Sequence, residues 1–143
     1  MVLDASICVS FLASKDEFHL RTVEWLQHQT AVRAAFFAPT LLLVDVAGVL
    51  ARLTGRSDVG RQAIVRLRET IDIQFVPLDR DRAESYARLA ADLRLRGADA
   101  TYVAVAREIG VPLVTWDREQ RSRAAEIVRV LTPTSVHQDD SSG

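Results

Sequence analysis

Four aspartates stand alone among apolar residues: Asp4 in Val2-Leu3-Asp4-Ala5, Asp45 in Leu41-Leu42-Leu43-Val44-Asp45-Val46-Ala47, Asp99 in Gly97-Ala98-Asp99-Ala100 and Asp117 in Val114-Thr115-Trp116-Asp117. A carboxylate in such a setting loses hydration unless a donor, a base or a cation replaces the water. If the fold gathers the four, a divalent cation is the natural resolution. A set made only of hard oxygens selects magnesium, manganese or calcium over zinc or copper. The pattern therefore points to a metal-dependent enzyme.

Three of the four have a plainer reading. Asp4 before Ala5-Ser6, Asp99 before Ala100-Thr101-Tyr102 and Asp117 before Arg118-Glu119-Gln120 all suit helix N-caps, where a carboxylate accepts from first-turn amides. Asp45 has no such reading. Its helical neighbours three and four residues away are Leu41, Leu42, Gly48 and Val49, so no base on the same helix pairs with it and a tertiary partner is required.

Other chemistries fit less well. A receiver-type phosphoacceptor would also use strand-end aspartates and a threonine such as Thr115, but it needs a lysine late in the chain, and the only lysine is Lys15. An aspartyl-phosphate phosphatase wants two aspartates around one residue, where this chain has Asp4-Ala5-Ser6. No Gly-x-Gly-x-x-Gly follows the first strand and no Gly-x-Ser-x-Gly occurs. His19, His28 and His137 lack metal-ligand spacing and read as surface or capping residues.

The elements that must position the aspartates alternate. Short β-like runs fall at Met1 to Asp4, Ala35 to Ala38, Ile71 to Val76, Pro112 to Thr115 and Glu126 to Leu131. Helical periodicity covers Ala5 to Ala13, Glu17 to Gln29, Thr40 to Leu53, Asp58 to Thr70, Arg80 to Leu95, Ala98 to Ile109 and Arg118 to Ala125. Pro39 suits the start of the third helix, and Gly55 and Gly110 suit the ends of the third and sixth. The alternation implies an α/β fold with a parallel sheet covered on both faces, and ligands of such sheets bind beyond the carboxyl ends of the strands. Asp4 closes the first strand and Asp117 follows the fourth; in a sheet ordered 3-2-1-4-5 these two strands are neighbours and the aspartates flank one crevice.

The 143 residues suffice for one domain with its own core, and 48% hydrophobic and 26% charged residues are ordinary for a globular protein. Residues 1–132 are read as that domain, and 133–143, polar and ending in Ser-Ser-Gly, as a disordered tail. Cys8, alone in an apolar run, is expected in the core. No basic segment precedes a long apolar stretch and no run approaches a membrane span, so a cytoplasmic location without membrane attachment is expected. A net charge of −1 argues against a protein that coats nucleic acid, although the arginines that dominate the basic side suit phosphate.

The segments Val2-Leu3-Asp4-Ala5-Ser6, Ala38-Pro39-Thr40-Leu41-Leu42-Leu43-Val44-Asp45-Val46, Gly97-Ala98-Asp99-Ala100-Thr101-Tyr102-Val103-Ala104-Val105-Ala106 and Pro112-Leu113-Val114-Thr115-Trp116-Asp117, in this order and spacing, resemble a PIN domain. The likeness spans nearly the whole chain and is greatest to small VapC-type toxins of toxin–antitoxin pairs. It implies a single-domain three-layer sandwich around a five-stranded parallel sheet in the order 3-2-1-4-5. The implied activity is that of a magnesium- or manganese-dependent endoribonuclease. Asp4, Asp99 and Asp117 match the family's metal-coordinating aspartates, and Thr115 matches its hydroxyl residue. Ser6 falls where a small polar residue supports the first acid.

Asp45 stands where the family usually has glutamate, so its shorter arm would reach a metal through water. A PIN-fold interaction module with weakened or no RNase activity is accordingly the alternative. Arg94, Arg96 and Arg118 lie near the acids in sequence and are candidates for RNA phosphate. The resemblance further implies a homodimer and a VapB-like antitoxin whose C-terminal segment covers the acidic pocket, an arginine of that segment being the natural plug, with Trp25, Leu26, Leu50 and Leu53 as candidates for a groove.

Overall fold

A computed structural model describes residues 1–133. Among these residues five strands are interleaved with seven helices: β1 (Val2–Leu3), α1 (Ala5–Leu12), α2 (His19–Ala31), β2 (Phe36–Pro39), α3 (Leu41–Thr54), α4 (Ser57–Thr70), β3 (Ile73–Val76), α5 (Arg80–Leu93), α6 (Gly97–Ile109), β4 (Leu113–Val114), α7 (Arg118–Ala124) and β5 (Val130–Leu131). The strands form one parallel sheet in the order β3-β2-β1-β4-β5, as the resemblance implies.

The register places Val2 beside Phe37 on one side and Leu113 on the other, and Leu3 beside Val114. All four residues of β1 and β4 are fully buried, the signature of parallel strands covered on both faces. Helix α6 packs across β1, β2 and β4, while α1 packs with α2, α3 and α4. The amide of Asp4 still donates to the carbonyl of Val114 at 3.0 Å, so the chain leaves β1 at the level where it leaves β4.

Several boundaries differ from the sequence expectation. β2 runs on through Pro39, which pairs with Val76, and α3 begins only at Leu41. The fifth strand is confined to Val130–Leu131 because the amides of Ile127 and Val128 return to the carbonyl of Ala124 and finish α7 instead. α5 stops at Leu93, with Arg94 in the left-handed region at φ 55°. Gly55 and Gly110 end their helices at φ 68° and 77°, a left-handed conformation that glycine adopts at the least local cost. Cys8, Trp25, Leu26 and Leu50 belong to the core, whereas Leu53 is 69% exposed. The expected tail, apart from Pro133, and His137 lie outside the described residues. Among the described residues no helix is long and apolar enough to cross a membrane.

Candidate active site

At the carboxyl end of β1, Asp4 is only 4% exposed and caps α1. Its Oδ2 accepts from the amide of Ser6 at 3.2 Å and from the hydroxyl of the fully buried Thr115 at 2.9 Å. The Thr115 hydroxyl also accepts the amide of Asp117 at 3.0 Å and lies 3.2 Å from Ser6 Oγ, which accepts the amide of Trp116 at 3.0 Å. Thr115 has one hydroxyl proton and gives it to Asp4, so Ser6 must donate to Thr115. A single relay therefore runs from the Trp116 amide through Ser6 and Thr115 to the Asp4 carboxylate, each bond polarising the next. It fixes the end of β4 to the start of α1.

Asp117 caps α7, its Oδ1 accepting from the amide of Gln120 at 2.8 Å. Asp99 sits in the first turn of α6 but is no cap; Arg96 Nε donates to its Oδ2 at 3.3 Å. The buried Gln120 side chain donates to the carbonyl of Asp99 at 3.0 Å and so ties α7 to the head of α6. Asp45, in the second turn of α3, accepts from the hydroxyl of the fully buried Tyr102 at 2.9 Å. That is the tertiary partner its helix could not supply.

All four aspartates and Ser6 line one cavity of about 520 Å³, and Arg52 and Arg96 line it with them. Burial pushes the Asp4 carboxyl above its usual range, opposed by the donors Ser6 and Thr115 and reinforced by the charge of Asp99. Burial likewise raises Asp99; Arg96 opposes the rise, and Asp117 and Asp45 add to it. The Tyr102 phenol is pushed up by burial and then by Asp45 and Asp4. Asp99 thus feels the charges of Asp117 and Asp45 and lends its own to Asp4 within one shared cavity. A larger cavity, about 660 Å³ between α5 and α6, holds none of them, and in it Glu108 accepts from both Arg82 and Tyr86.

Of the three arginines near the acids in sequence, Arg96 lines the cavity. Arg94 instead forms the C-cap of α5, its carbonyl accepting from Arg123, and the exposed Arg118 opens α7; neither lines the cavity. Arg52, Tyr102, Gln120 and the aromatic residues Phe18 and Trp116 were not singled out by sequence. Tyr102 carried a faint signal, a lone phenol in an apolar helix three residues after Asp99, but its reach to α3 is a property of the packing.

A donor set of carboxylate and hydroxyl oxygen in a cavity of mutually repelling charges fits a hard divalent cation. Among the described residues no three such ligands already stand gathered around one point, because each carboxylate is turned to a protein donor: Thr115, Tyr102, Arg96 or the amide of Gln120. Of these, the Arg96 side chain is 78% exposed and the easiest to displace.

The fold is similar to that of VapC20 from Mycobacterium tuberculosis, described as a sarcin-ricin loop cleaving toxin, with 18% identity, a TM-score of 0.70 and 90% of this chain matched to 97% of that one. It is also similar to FitAcB from Neisseria gonorrhoeae, with 19% identity, a TM-score of 0.69 and coverages of 94% and 99%. VapBC2 from Rickettsia felis, solved bound to a DNA fragment from its promoter, matches with 13% identity, a TM-score of 0.64 and coverages of 92% and 96%. Comparison with curated proteins gives no match. The family model of the PIN domain matches residues 1–126, and the chain belongs to that family.

Proposed function

We propose that this protein is a magnesium- or manganese-dependent endoribonuclease, the toxin component of a VapBC-type toxin–antitoxin pair. The observation that carries the reading is the convergence of Asp4, Asp45, Asp99 and Asp117 on one cavity at the carboxyl ends of β1 and β4 in a PIN domain. Asp4, Asp99 and Asp117 would hold the cation, with Asp45 reaching it through water. The bound cation would orient the scissile phosphate, lower the pKa of an attacking water and stabilise the leaving oxygen during in-line displacement, with no covalent intermediate.

The chain's own residues supply the rest. Thr115 and Ser6 keep the Asp4 carboxylate in one rotamer through the hydroxyl relay. Tyr102 does the same for Asp45. Arg96 and Arg52 meet flanking phosphates, which would otherwise face only negative groups, and the arginine fork suits that contact. The protein is proposed to work as a homodimer in the cytoplasm and to be silenced by a VapB-like antitoxin.

The test is cleavage of single-stranded or looped RNA. The purified protein should cut only with magnesium or manganese, and Asp4→Asn, Asp99→Asn and Asp117→Asn should each lower the rate by two or more orders of magnitude with the fold retained, since each removes a charged oxygen from a shared site. Full activity in excess chelator, or undiminished cleavage by Asp99→Asn, overturns the reading. Absence of cleavage by a folded, metal-loaded protein favours the PIN-fold interaction module.

A further inference from the structure

Phe18 and Trp116 stack face to face, ring centroids 4.2 Å apart and planes 10° from parallel, in the wall of the cavity that holds the aspartates. Trp116 is fixed independently of that stack. Its amide donates to Ser6 Oγ and its indole Nε1 to Thr22 Oγ1, both at 3.0 Å. Phe18 is set by the turn before α2, where its amide donates to Asp16 Oδ1 at 2.9 Å. Both rings are half-buried and line the cavity, and Trp116 also packs against the core.

The remaining lining is mostly charged: the four aspartates and Asp16 against Arg52 and Arg96. A polyanion drawn towards these carboxylates is repelled wherever cations do not intervene. A flat, uncharged base on that polyanion is not, and it gains from a rigid aromatic surface. Trp116 also lies between Thr115 and Asp117, so a base held there stands a fixed short distance from a phosphate held at the aspartates.

We propose that the Phe18–Trp116 pair is a stacking platform for one unpaired nucleobase of the RNA strand, next to the phosphate that is cut. The proposal rests on the ribonuclease reading for its ligand class. Stacking is sequence-tolerant because every base has a π face, so the platform selects unpaired over duplex RNA rather than one base over another.

The test uses the full chain and a short single-stranded RNA. In a Trp25→Phe background, Trp116 is the only indole, and the RNA should quench its fluorescence. Phe18→Leu and Trp116→Leu should raise KM roughly 5- to 100-fold, the range of one base–aromatic stack, with kcat within about threefold. Trp116→Phe, which keeps a ring, should retain most of the affinity. An abasic residue at one position of the RNA should cost the parent the same factor and cost the leucine variants nothing more. The factor should hold as salt is raised, because stacking displaces no counterion.

A folded Phe18→Leu protein with parental KM overturns the platform, as does an abasic scan that affects parent and variant alike. Because Trp116→Leu also removes the bond to Thr22, the Phe18 and abasic arms decide the matter if it unfolds. Cleavage with unchanged KM sinks the platform and leaves the nuclease; quenching without cleavage does the reverse.

Discussion

The carboxylate of Asp45 is held from outside its own helix, and the holder is a phenol with no exposure to solvent. A hydroxyl buried on α6 that donates to a carboxylate on α3 does two things: it removes a polar group's unmet demand, and it limits the rotamers of a side chain one methylene shorter than glutamate. Tyr102→Phe should therefore lower cleavage roughly 10-fold, the usual scale for a residue that orients a metal ligand, with a stability loss of only about 1–2 kcal/mol because Asp45 stays partly solvated. Combining Tyr102→Phe with Asp45→Asn should cost no more than Asp45→Asn alone, since the phenol acts through the carboxylate. Additive losses would show that Tyr102 serves the core only. Sequence made the need for a partner legible at Asp45, because Leu41, Leu42, Gly48 and Val49 cannot meet it. It could not name Tyr102, since the contact joins residues 57 apart and depends on how α6 crosses the sheet.

Among the elements, α3 carries both Asp45 and Arg52, and its seat against α4 decides where they point. The seat is tight at Gly60 of α4: a Cβ built there would lie 2.5 Å from the carbonyl oxygen of Ala47 and 3.0 Å from Ala51 Cβ. Backbone cannot yield as a flexible side-chain end can, so Gly60→Ala should push the helices apart and destabilise the protein by about 1–3 kcal/mol. Gly48, on α3 itself, has nothing within 4 Å of its would-be Cβ. Gly48→Ala should instead stabilise by roughly 0.5–1 kcal/mol, through helix propensity and a less entropic unfolded chain. Denaturant midpoints of the two variants give the comparison, and a Gly60→Ala protein as stable as the parent would mean that this helix contact is loose. Helix number, order and ends were largely readable from periodicity and from Gly55 and Gly110. The first and fourth strands were overestimated at both ends and the fifth at its start; Asp4 and Thr115, counted into the first and fourth, lie just past the strand ends and turn their side chains to the site.

For the whole molecule, the strand order is the feature that makes a site, and it was implied by resemblance rather than by any periodicity in the chain. Once β1 and β4 are neighbours, four carboxylates that lie up to 113 residues apart in sequence share one cavity. Their mutual repulsion then becomes a property of global stability. Unfolding separates the charges, so the metal-free folded state bears a cost that the unfolded chain does not, and Asp99 bears it from burial first and from Asp117 and Asp45 after that. A cation bound only to the folded state reverses the balance. At a hundredfold excess over its dissociation constant it adds about 2.7 kcal/mol, roughly 5–15 °C in the melting temperature of a domain this size. Magnesium and manganese titrated into chelator-treated protein should raise the melting temperature accordingly. Asp99→Asn should start a few degrees higher without metal, having lost a repelled charge at the small expense of an exposed pair with Arg96, and should lose most of the metal-dependent rise. A parent protein whose melting curve stays unmoved by millimolar metal would show that the four aspartates share a cavity without sharing a cation.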